Sequence, residues 1–410
     1  VELYLYYNSL TGSIPSSLGG LSSLTALILY SNQLSGAIPP ELGNLTALTS
    51  LSLYMNDLSG SIPAQLGNLS NLIFLHLENN RLSGSIPTSL GSLSHLLELD
   101  LHGNYLEGAI PPELANITSL MFLGLDANSL TGNIPPQLGS LSNLYHLHLY
   151  SNKLEGQIPP ELGNLSNLQY LNLGDNNLTG SIPPELGNLT SLTGLHIFYT
   201  GVSGAIPSQL GNLTNLEWLS LYNNSLSGNI PSTFMNLDKL VAAYLQENQL
   251  SGSIPPELGD LAKLQDLWLE NNNLSGVVPV ELGALPELRR LHLQFNDLTG
   301  SVPTSFTNLT KLTEFYFHDT ALCEPASSAY QAWKATVTNY QGTGLSCSIL
   351  SPQDDETLTS SKVTFIWDPI TDATKYKIQL STRADFSTTV FSVKTTTNSY
   401  PYLTSLVSAK

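Results

Sequence analysis

The polar and apolar positions of this chain repeat with a period of 24 residues. Asparagine recurs at that spacing from Asn8 to Asn296, and Thr200 is the one exception in thirteen consecutive units. Apolar residues stand eight, five and three positions before the asparagine and two positions after it. The alternation over the six positions before the asparagine predicts a short strand with one buried and one open face. A fixed period of this length predicts a solenoid of stacked units.

The rest of the repeat predicts a bend and a short helical turn. Glycine four positions after the asparagine and proline seven positions after it occur in all thirteen units. Glycine permits a tight bend, and proline suits the first position of a helix. The strands run in one direction and so predict a parallel sheet with a rise of roughly 4.8 Å per unit. Buried asparagine amides predict a ladder of hydrogen bonds, which Thr200 should weaken in the ninth unit.

Charge and composition exclude several functions. The chain has 14 basic and 32 acidic residues, a net charge of −18. Binding to nucleic acid or to an anionic membrane needs a basic surface, and neither is predicted. No apolar run approaches the ~20 residues that span a bilayer, so no membrane insertion is expected. The sequence opens in mid-repeat at Val1, which predicts a missing upstream segment and an uncapped end able to self-associate. No cofactor is predicted.

Two cysteines, Cys323 and Cys347, flank the end of the repeats. Their placement favours one disulfide over a metal site. A disulfide predicts an oxidising, extracellular compartment, and therefore a secreted or cell-surface protein.

The repeat Leu-x-x-Leu-x-Leu-x-x-Asn-x-Leu-Ser/Thr-Gly-x-Ile-Pro resembles the plant-specific class of leucine-rich repeat over residues 1–322. It is similar to ectodomains of plant receptor-like kinases and to polygalacturonase-inhibiting proteins. The resemblance implies an α/β repeat solenoid, a right-handed horseshoe with a parallel β-sheet on its concave face. It also implies recognition of a protein, peptide or glycan without catalysis. Residues 323–347 resemble the disulfide-bonded C-terminal cap of such arrays.

The composition changes after the cap. Residues 348–361 read as a linker, and 362–410 contain alternating segments and the motif Trp367-Asp368-Pro369. These features resemble the first strands of a fibronectin type III-like all-β sandwich, which is predicted to be partial. This tail resembles bacterial cell-surface modules and favours a bacterial secreted or surface protein.

Residues two, four and six positions before each asparagine are predicted to lie on the open, concave face. Aromatic and histidine side chains are frequent there, and flat rings with a polar edge suit contact with peptides or sugars. The accompanying carboxylates predict a neutral or basic ligand. The predicted ligand-binding residues are Tyr30, Tyr54, His76, Glu78, Asp100, His102, Asp126, His148, Tyr150, His196, Phe198, Trp218, Tyr222, Tyr244, Trp268 and His292. An open sheet has no pocket to shift carboxyl pKa values, so no enzyme is predicted.

Three alternatives accompany this prediction. His76, Asp100, His102 and Asp126 occupy neighbouring units and are candidate ligands for one divalent metal ion. The array is alternatively a building block of a surface layer or fibre. Serine and threonine ladders three and five positions after the asparagine resemble ice-binding faces.

Overall fold

The computed structural model describes residues 1–347 and five later strands, at 349–351, 363–367, 376–381, 389–395 and 399–402. Within residues 1–347 each unit forms a strand, a bend, a flank strand and a 3-10 helix. One layer of leucines, most of them without exposed surface, runs through all the units and forms a single core. The predicted leucine-rich-repeat solenoid is confirmed.

A parallel sheet of fifteen strands forms the face predicted to be concave, hereafter the concave sheet. Its strands are paired in register at the 24-residue period, with Leu27 opposite Leu51 and Leu51 opposite Leu75. The strands are Glu2–Tyr4, Ala26–Ile28, Ser50–Ser52, Phe74–His76, Glu98–Asp100, Phe122–Gly124, His146–His148, Tyr170–Asn172, Gly194–His196, Trp218–Ser220, Ala242–Tyr244, Asp266–Trp268, Arg290–His292, Glu314–Tyr316 and Asn339–Gln341.

These strands are shorter than predicted. The alternation indicated six positions, but each strand contains three residues. The residue directly before the asparagine has a left-handed backbone, for example Ser31 with φ 54° and Phe295 with φ 56°. Left-handed geometry is costly for residues other than glycine and turns the chain out of the sheet. The hydrophobic pattern does not predict this turn, because the side chain of the residue before the asparagine points to solvent whether or not the strand continues.

A second set of parallel strands lies on the flank and was not predicted. These strands are Thr11–Gly12, Gln33–Gly36, Asp57–Ser61, Arg81–Gly84, Tyr105–Ala109, Ser129–Asn133, Lys153–Gln157, Asn177–Thr179, Ser203–Ala205, Ser225–Gly228, Gln249–Gly252, Asn273–Gly276, Asp297–Ser301 and Ala321–Cys323. They form sheets of eight and six strands. Between the two sheets lie an isolated bridge of Ser181 with Ser203 and backbone hydrogen bonds from Gly201 to Leu178 and from Ser203 to Gly180, both at 2.7 Å. The division falls at the unit that carries Thr200 in place of asparagine.

The predicted helical turns are 3-10 helices on the opposite side. Proline precedes each of them in extended geometry, as at Pro111 with φ −65° and ψ 126°. The thirteen helices are Ser16–Gly20, Pro40–Asn44, Ala64–Asn68, Thr88–Ser92, Pro112–Asn116, Pro136–Ser140, Pro160–Asn164, Pro184–Asn188, Ser208–Asn212, Ser232–Asn236, Pro256–Asp260, Val280–Ala284 and Thr304–Asn308. Ten of them contain a glycine that permits close stacking, since a Cβ on Gly43 would lie 2.3 Å from the carbonyl oxygen of Gln65.

The asparagine ladder forms as predicted. Asn272 Nδ2 donates to the carbonyl oxygens of Leu269 and, in the preceding unit, Leu245, both at 3.1 Å. Its Oδ1 accepts the N–H of Leu250 at 2.9 Å. At the exception, Thr200 Oγ1 instead donates to Asn224 Oδ1 at 2.6 Å. Each amide therefore joins two units, and the threonine replaces that set of bonds with one side-chain donor.

The cap closes the leucine layer. Helix Ser328–Lys334 places Tyr330 and Trp333 over the last apolar residues, and Trp333 Nε1 donates to the carbonyl oxygen of Leu309 at 3.3 Å. The predicted disulfide between Cys323 and Cys347 is present, with Cα atoms 4.9 Å apart. The cap also supplies the last strand of the concave sheet, Asn339–Gln341, so the sheet extends one strand beyond the repeats.

The later strands pair antiparallel. Val363–Trp367 lies between Ile349–Ser351 and Ser399–Tyr402, and Tyr376–Ser381 pairs with Thr389–Thr395. Assignment of residues 362–410 to a fibronectin type III-like sandwich stays a prediction, as does bacterial origin. The predicted linker lies mostly outside the described residues, as does the Asp368-Pro369 part of the tail motif. Across the described part of the chain, no helix has the length and apolar character to cross a membrane.

Candidate functional site

Three ranks of side chains point outward from the concave sheet. We define the first, second and third ranks as the residues six, four and two positions before the repeat asparagine. In thirteen of the strands a buried apolar residue, most often leucine, lies between the first-rank and second-rank residues, as in Phe74–His76. The central residue of the first strand, Leu3, is partly exposed. Period-two geometry therefore directs the ranks away from the core, as predicted.

Thirteen of the sixteen predicted ligand-binding residues are at least partly exposed. The other three are buried: Glu78, Asp126 and His292 are 8%, 6% and 7% exposed. The prediction that these three side chains are exposed to solvent was wrong. Neighbouring strands lie only about 4.8 Å apart, so large side chains in adjacent units cover one another. That any of the sixteen contacts a ligand stays a prediction.

A tyrosine stack occupies the third rank of the first three units. The rings of Tyr6 and Tyr30 have centroids 4.9 Å apart, and those of Tyr30 and Tyr54 are 4.3 Å apart. Both pairs are within 8° of parallel. Such spacing is typical of stacked aromatic rings and gives a flat surface with hydroxyl groups along it.

A second aromatic group lies at the middle of the array. The ring centroid of Tyr170 is 5.0 Å from that of His148 and 4.8 Å from that of His196. Gly194 makes room for this packing, since a Cβ there would lie 2.6 Å from the Tyr170 ring. Burial lowers the pKa of both His148 and His196 to about 4. The group is therefore uncharged at neutral pH.

The same group extends to later units and includes a residue that the sequence analysis did not select. The rings of Phe198 and Tyr222 are parallel within 1°, and their centroids are 4.9 Å apart.

Tyr170 was missed in the sequence analysis, although it lies six positions before Asn176 and so has the spacing of the first rank. Tyr150, which was predicted, lies at the third rank and is partly exposed. Trp218 is 41% exposed on the first rank.

A third aromatic group surrounds Trp268. Its ring lies 5.1 Å from Tyr244 and 4.6 Å from His292, measured between centroids. Arg290 lies over the Trp268 ring at 5.6 Å and binds Asp266 through Nε at 2.5 Å and a terminal nitrogen at 2.6 Å. The guanidinium thus has both a carboxylate and an aromatic partner within the chain.

Carboxylates lie between the first and second aromatic groups. His102 Nδ1 donates to Asp100 Oδ1 at 2.9 Å, and this bond raises the pKa of His102. Burial, followed by the charge of Asp100, raises the pKa of Glu78 to about 7. Burial also raises the pKa of Asp126. The conjecture that an open sheet shifts no carboxyl pKa is wrong for these two, because neighbouring side chains exclude water from them.

The metal hypothesis receives no support from the geometry. His76 Nε2 lies 3.0 Å from Glu98 rather than joining Asp100, and His102 is bound to Asp100 of its own unit. Within the described ranges, no three histidine, cysteine or carboxylate side chains are grouped as ligands of one ion. The four candidates therefore pair with neighbours instead of converging on one point.

Comparisons with known proteins agree with this architecture. The family model described as a leucine-rich repeat region matches residues 61–200, 128–228 and 184–350, and a leucine rich repeat model matches 1–21, 23–45 and 47–69. No match was found among curated proteins.

Solved structures with this fold come from plants and from bacteria. A plant peptide hormone receptor, RGFR1 in complex with RGF2, is 36% identical with a TM-score of 0.82, over 83% of this chain and 55% of that one. The Arabidopsis receptor kinase HAESA ectodomain, in complex with an IDA peptide hormone, is 35% identical with a TM-score of 0.77, over 82% and 57%. A Leptospira interrogans leucine-rich-repeat protein is 29% identical with a TM-score of 0.61, over 82% and 88%.

The chain spans little more than half the length of the two plant ectodomains. The family models cover most of residues 1–350, and the repeat geometry agrees with them throughout. The chain therefore belongs to the leucine-rich-repeat family.

Proposed function

We propose that this chain is an extracellular recognition module that binds a peptide or protein through the concave sheet. The observation that carries the proposal is the run of stacked aromatic rings along that sheet, divided by carboxylates. Partly exposed tyrosine and tryptophan rings offer a large contact area at small entropic cost, which makes them frequent anchors of binding. No catalytic role is proposed.

Three further observations support the location and the ligand class. The disulfide between Cys323 and Cys347 is typical of proteins that fold in an oxidising compartment. Two of the similar solved structures are receptor ectodomains or receptors in complex with peptide hormones. The net charge of −18 favours a neutral or basic ligand over an acidic one. Glycan ligands remain a second class to be tested.

An array of peptides and glycans tests the proposal. The informative variants are Trp218→Ala, which removes an exposed ring from the concave sheet, and the double variant with Trp268→Ala. Tyr105→Ala is the matched control, because Tyr105 is 64% exposed on a flank strand away from the concave sheet. We expect wild type and the control to bind the same ligands, and the tryptophan variants to lose at least tenfold in affinity, about 1.4 kcal/mol. Equal binding by all four proteins would contradict the choice of surface.

The structural and ice-binding alternatives stay predictions. Sedimentation at several concentrations tests assembly, since a building block should grow in size with concentration. Thermal hysteresis, and its loss on replacing Thr131 and Thr179, tests ice binding.

A further inference from the structure

Four side chains in three consecutive units form what we call the acidic cluster: Glu78, Asp100, His102 and Asp126. Glu78, His102 and Asp126 hold the third rank of consecutive units, and Asp100 holds the second rank beside them. The charges of all three carboxylates act on the imidazole of His102, although only Asp100 is hydrogen-bonded to it. Because His102 shares a proton only with Asp100, at 2.9 Å, the cluster has more negative charge than its own hydrogen bonds offset.

One oxygen atom of Glu78 has no hydrogen-bond donor to offset its negative charge. The residue is 8% exposed, and its Oε2 is buried without a hydrogen-bond partner. A buried acceptor that lacks a donor is costly, and most such groups in proteins have a partner. The nearby His102 does not meet this need, since its Nε2 faces Asn79 Nδ2 at 2.9 Å and its Nδ1 faces Asp100.

The chain itself supplies a comparison on the same sheet. The buried carboxylate of Asp266 is paired through both oxygens with Arg290, which also lies over Trp268. Near the acidic cluster, Arg81 pairs instead with Asp57 on the flank, at 2.7 Å. Among the described residues no lysine or arginine forms an ion pair with any member of the acidic cluster. One carboxylate site thus has an internal guanidinium, and the other has none.

The acidic cluster is open to the concave side and has an aromatic neighbour. The side chains of Asp100 and His102 are 15% and 33% exposed. Gly124 allows Asp100 and Phe122 to pack closely beside it, since a Cβ there would lie 2.6 Å from Asp100 Oδ1 and 2.8 Å from the ring of Phe122. A cation that reaches the exposed part of Asp100 would meet carboxylates and the nearby ring of Phe122, as Arg290 meets Asp266 and Trp268 in the later units.

We propose that the acidic cluster binds a guanidinium or ammonium group of the peptide that the concave sheet recognises. The proposal rests on the proposed function and names the ligand chemistry at one point of that surface. Under this proposal, Glu78 and Asp126 determine specificity for an arginine or lysine of the peptide. The peptide donates a hydrogen bond to the oxygen of Glu78 that has no partner within the chain.

The burial of Glu78 predicts a pH-dependent stability of the free protein. The raised pKa of Glu78, about 7 against an ordinary value of 4.5, means that the folded protein binds a proton that the unfolded chain releases. Stability is then lost as pH rises from 4.5 through 7, since an unpaired carboxylate becomes charged inside the protein. Tyr54, Glu98, Asp100 and His102 are the titratable groups facing Glu78. Glu78→Gln should therefore stabilise the free protein at pH 8 and leave it nearly unchanged at pH 4.

The experiment compares peptides that carry one arginine with the same peptides carrying citrulline, which keeps the shape and removes the charge. Wild type, Glu78→Gln and Glu161→Gln are measured by titration calorimetry at pH 8. Glu161 is the matched control, because it is exposed on a 3-10 helix and its replacement changes net charge equally. We expect wild type and the control to prefer arginine by at least tenfold, and Glu78→Gln to reduce that preference to about twofold, in line with loss of a charge-assisted hydrogen bond.

The outcomes separate the two proposals. Peptides that bind with no preference for arginine would overturn the role of the acidic cluster and leave the proposed function standing. No binding by any peptide would overturn both. A Glu78→Gln protein that loses stability at pH 8 would show that the carboxylate is structural. Asp126→Asn, measured in parallel, should also reduce the arginine preference, and an unchanged preference there would contradict the proposal even if Glu78→Gln fails to fold.

Discussion

Replacing Asn272 by threonine should destabilise the array at one unit. The amide of Asn272 donates to the carbonyls of Leu245 and Leu269, and its Oδ1 accepts the N–H of Leu250. Thr200 demonstrates that a threonine at this place offers one hydroxyl donor, which binds the next asparagine. The variant Asn272→Thr therefore leaves the buried N–H of Leu250 without its acceptor and removes one of the two asparagine donors at each carbonyl.

The magnitude follows from these three bonds. A typical internal hydrogen bond contributes about 1 kcal/mol net, and a buried N–H left without an acceptor costs about 1–3 kcal/mol. We expect a loss of about 2–4 kcal/mol in the free energy of unfolding, centred on the unit of Asn272. Asn273→Thr is the control, because Asn273 is the adjacent residue, is exposed, and undergoes the same chemical change.

Two measurements test the expected loss of stability. Guanidinium unfolding followed by circular dichroism gives the loss of stability, and hydrogen exchange at Leu250 locates it. Repeat arrays unfold in parts, so the local exchange rate is the sharper measurement. An Asn272→Thr protein whose Leu250 exchange and unfolding midpoint match those of Asn273→Thr would refute the idea that the ladder stabilises the stack. The reciprocal change, Thr200→Asn, should slow exchange in the ninth unit.

Three further predictions concern the backbone, the cap and the histidines. Ala127 has a left-handed backbone with φ 51°, so Ala127→Gly should raise stability by about 0.5–1 kcal/mol in urea unfolding, and a loss would contradict the assigned geometry. The double variant Cys323→Ser, Cys347→Ser removes the disulfide that closes a loop between residues 24 positions apart, and it should lower the free energy of unfolding by about 3 kcal/mol. Hydrogen exchange in the cap should become faster, and unchanged exchange would contradict this prediction. The lowered pKa of His148 and of His196, both about 4, means that the unfolded chain binds protons first, so their contribution to stability is lost as pH falls from about 6.5 to 4. A double variant with phenylalanine at both positions should lack that part of the pH dependence in thermal melts.

The candidate site was predictable in position but not in its contacts. Counting positions from the asparagine located the three ranks, and thirteen of sixteen selected residues are at least partly exposed there. The same counting placed His76 beside Asp100, but the imidazole turned to Glu98 instead. Rotamers and ring packing decide such pairs, and these depend on neighbours 22–24 residues away in sequence. The missed Tyr170 has the correct spacing, and its importance appears only from the rings on either side.

The sequence by itself determined the solenoid and its register, because a 24-residue period repeated without insertion leaves one way to stack the leucines. The placement of Cys323 and Cys347 favoured the cap disulfide, which the structure contains. The tertiary structure alone decided three things. It ended each strand at three residues through a left-handed position, it divided the flank sheet at Thr200, and it buried Glu78 without a partner. Each of these depends on how side chains and carbonyls of adjacent units meet, and a one-dimensional pattern does not record that contact.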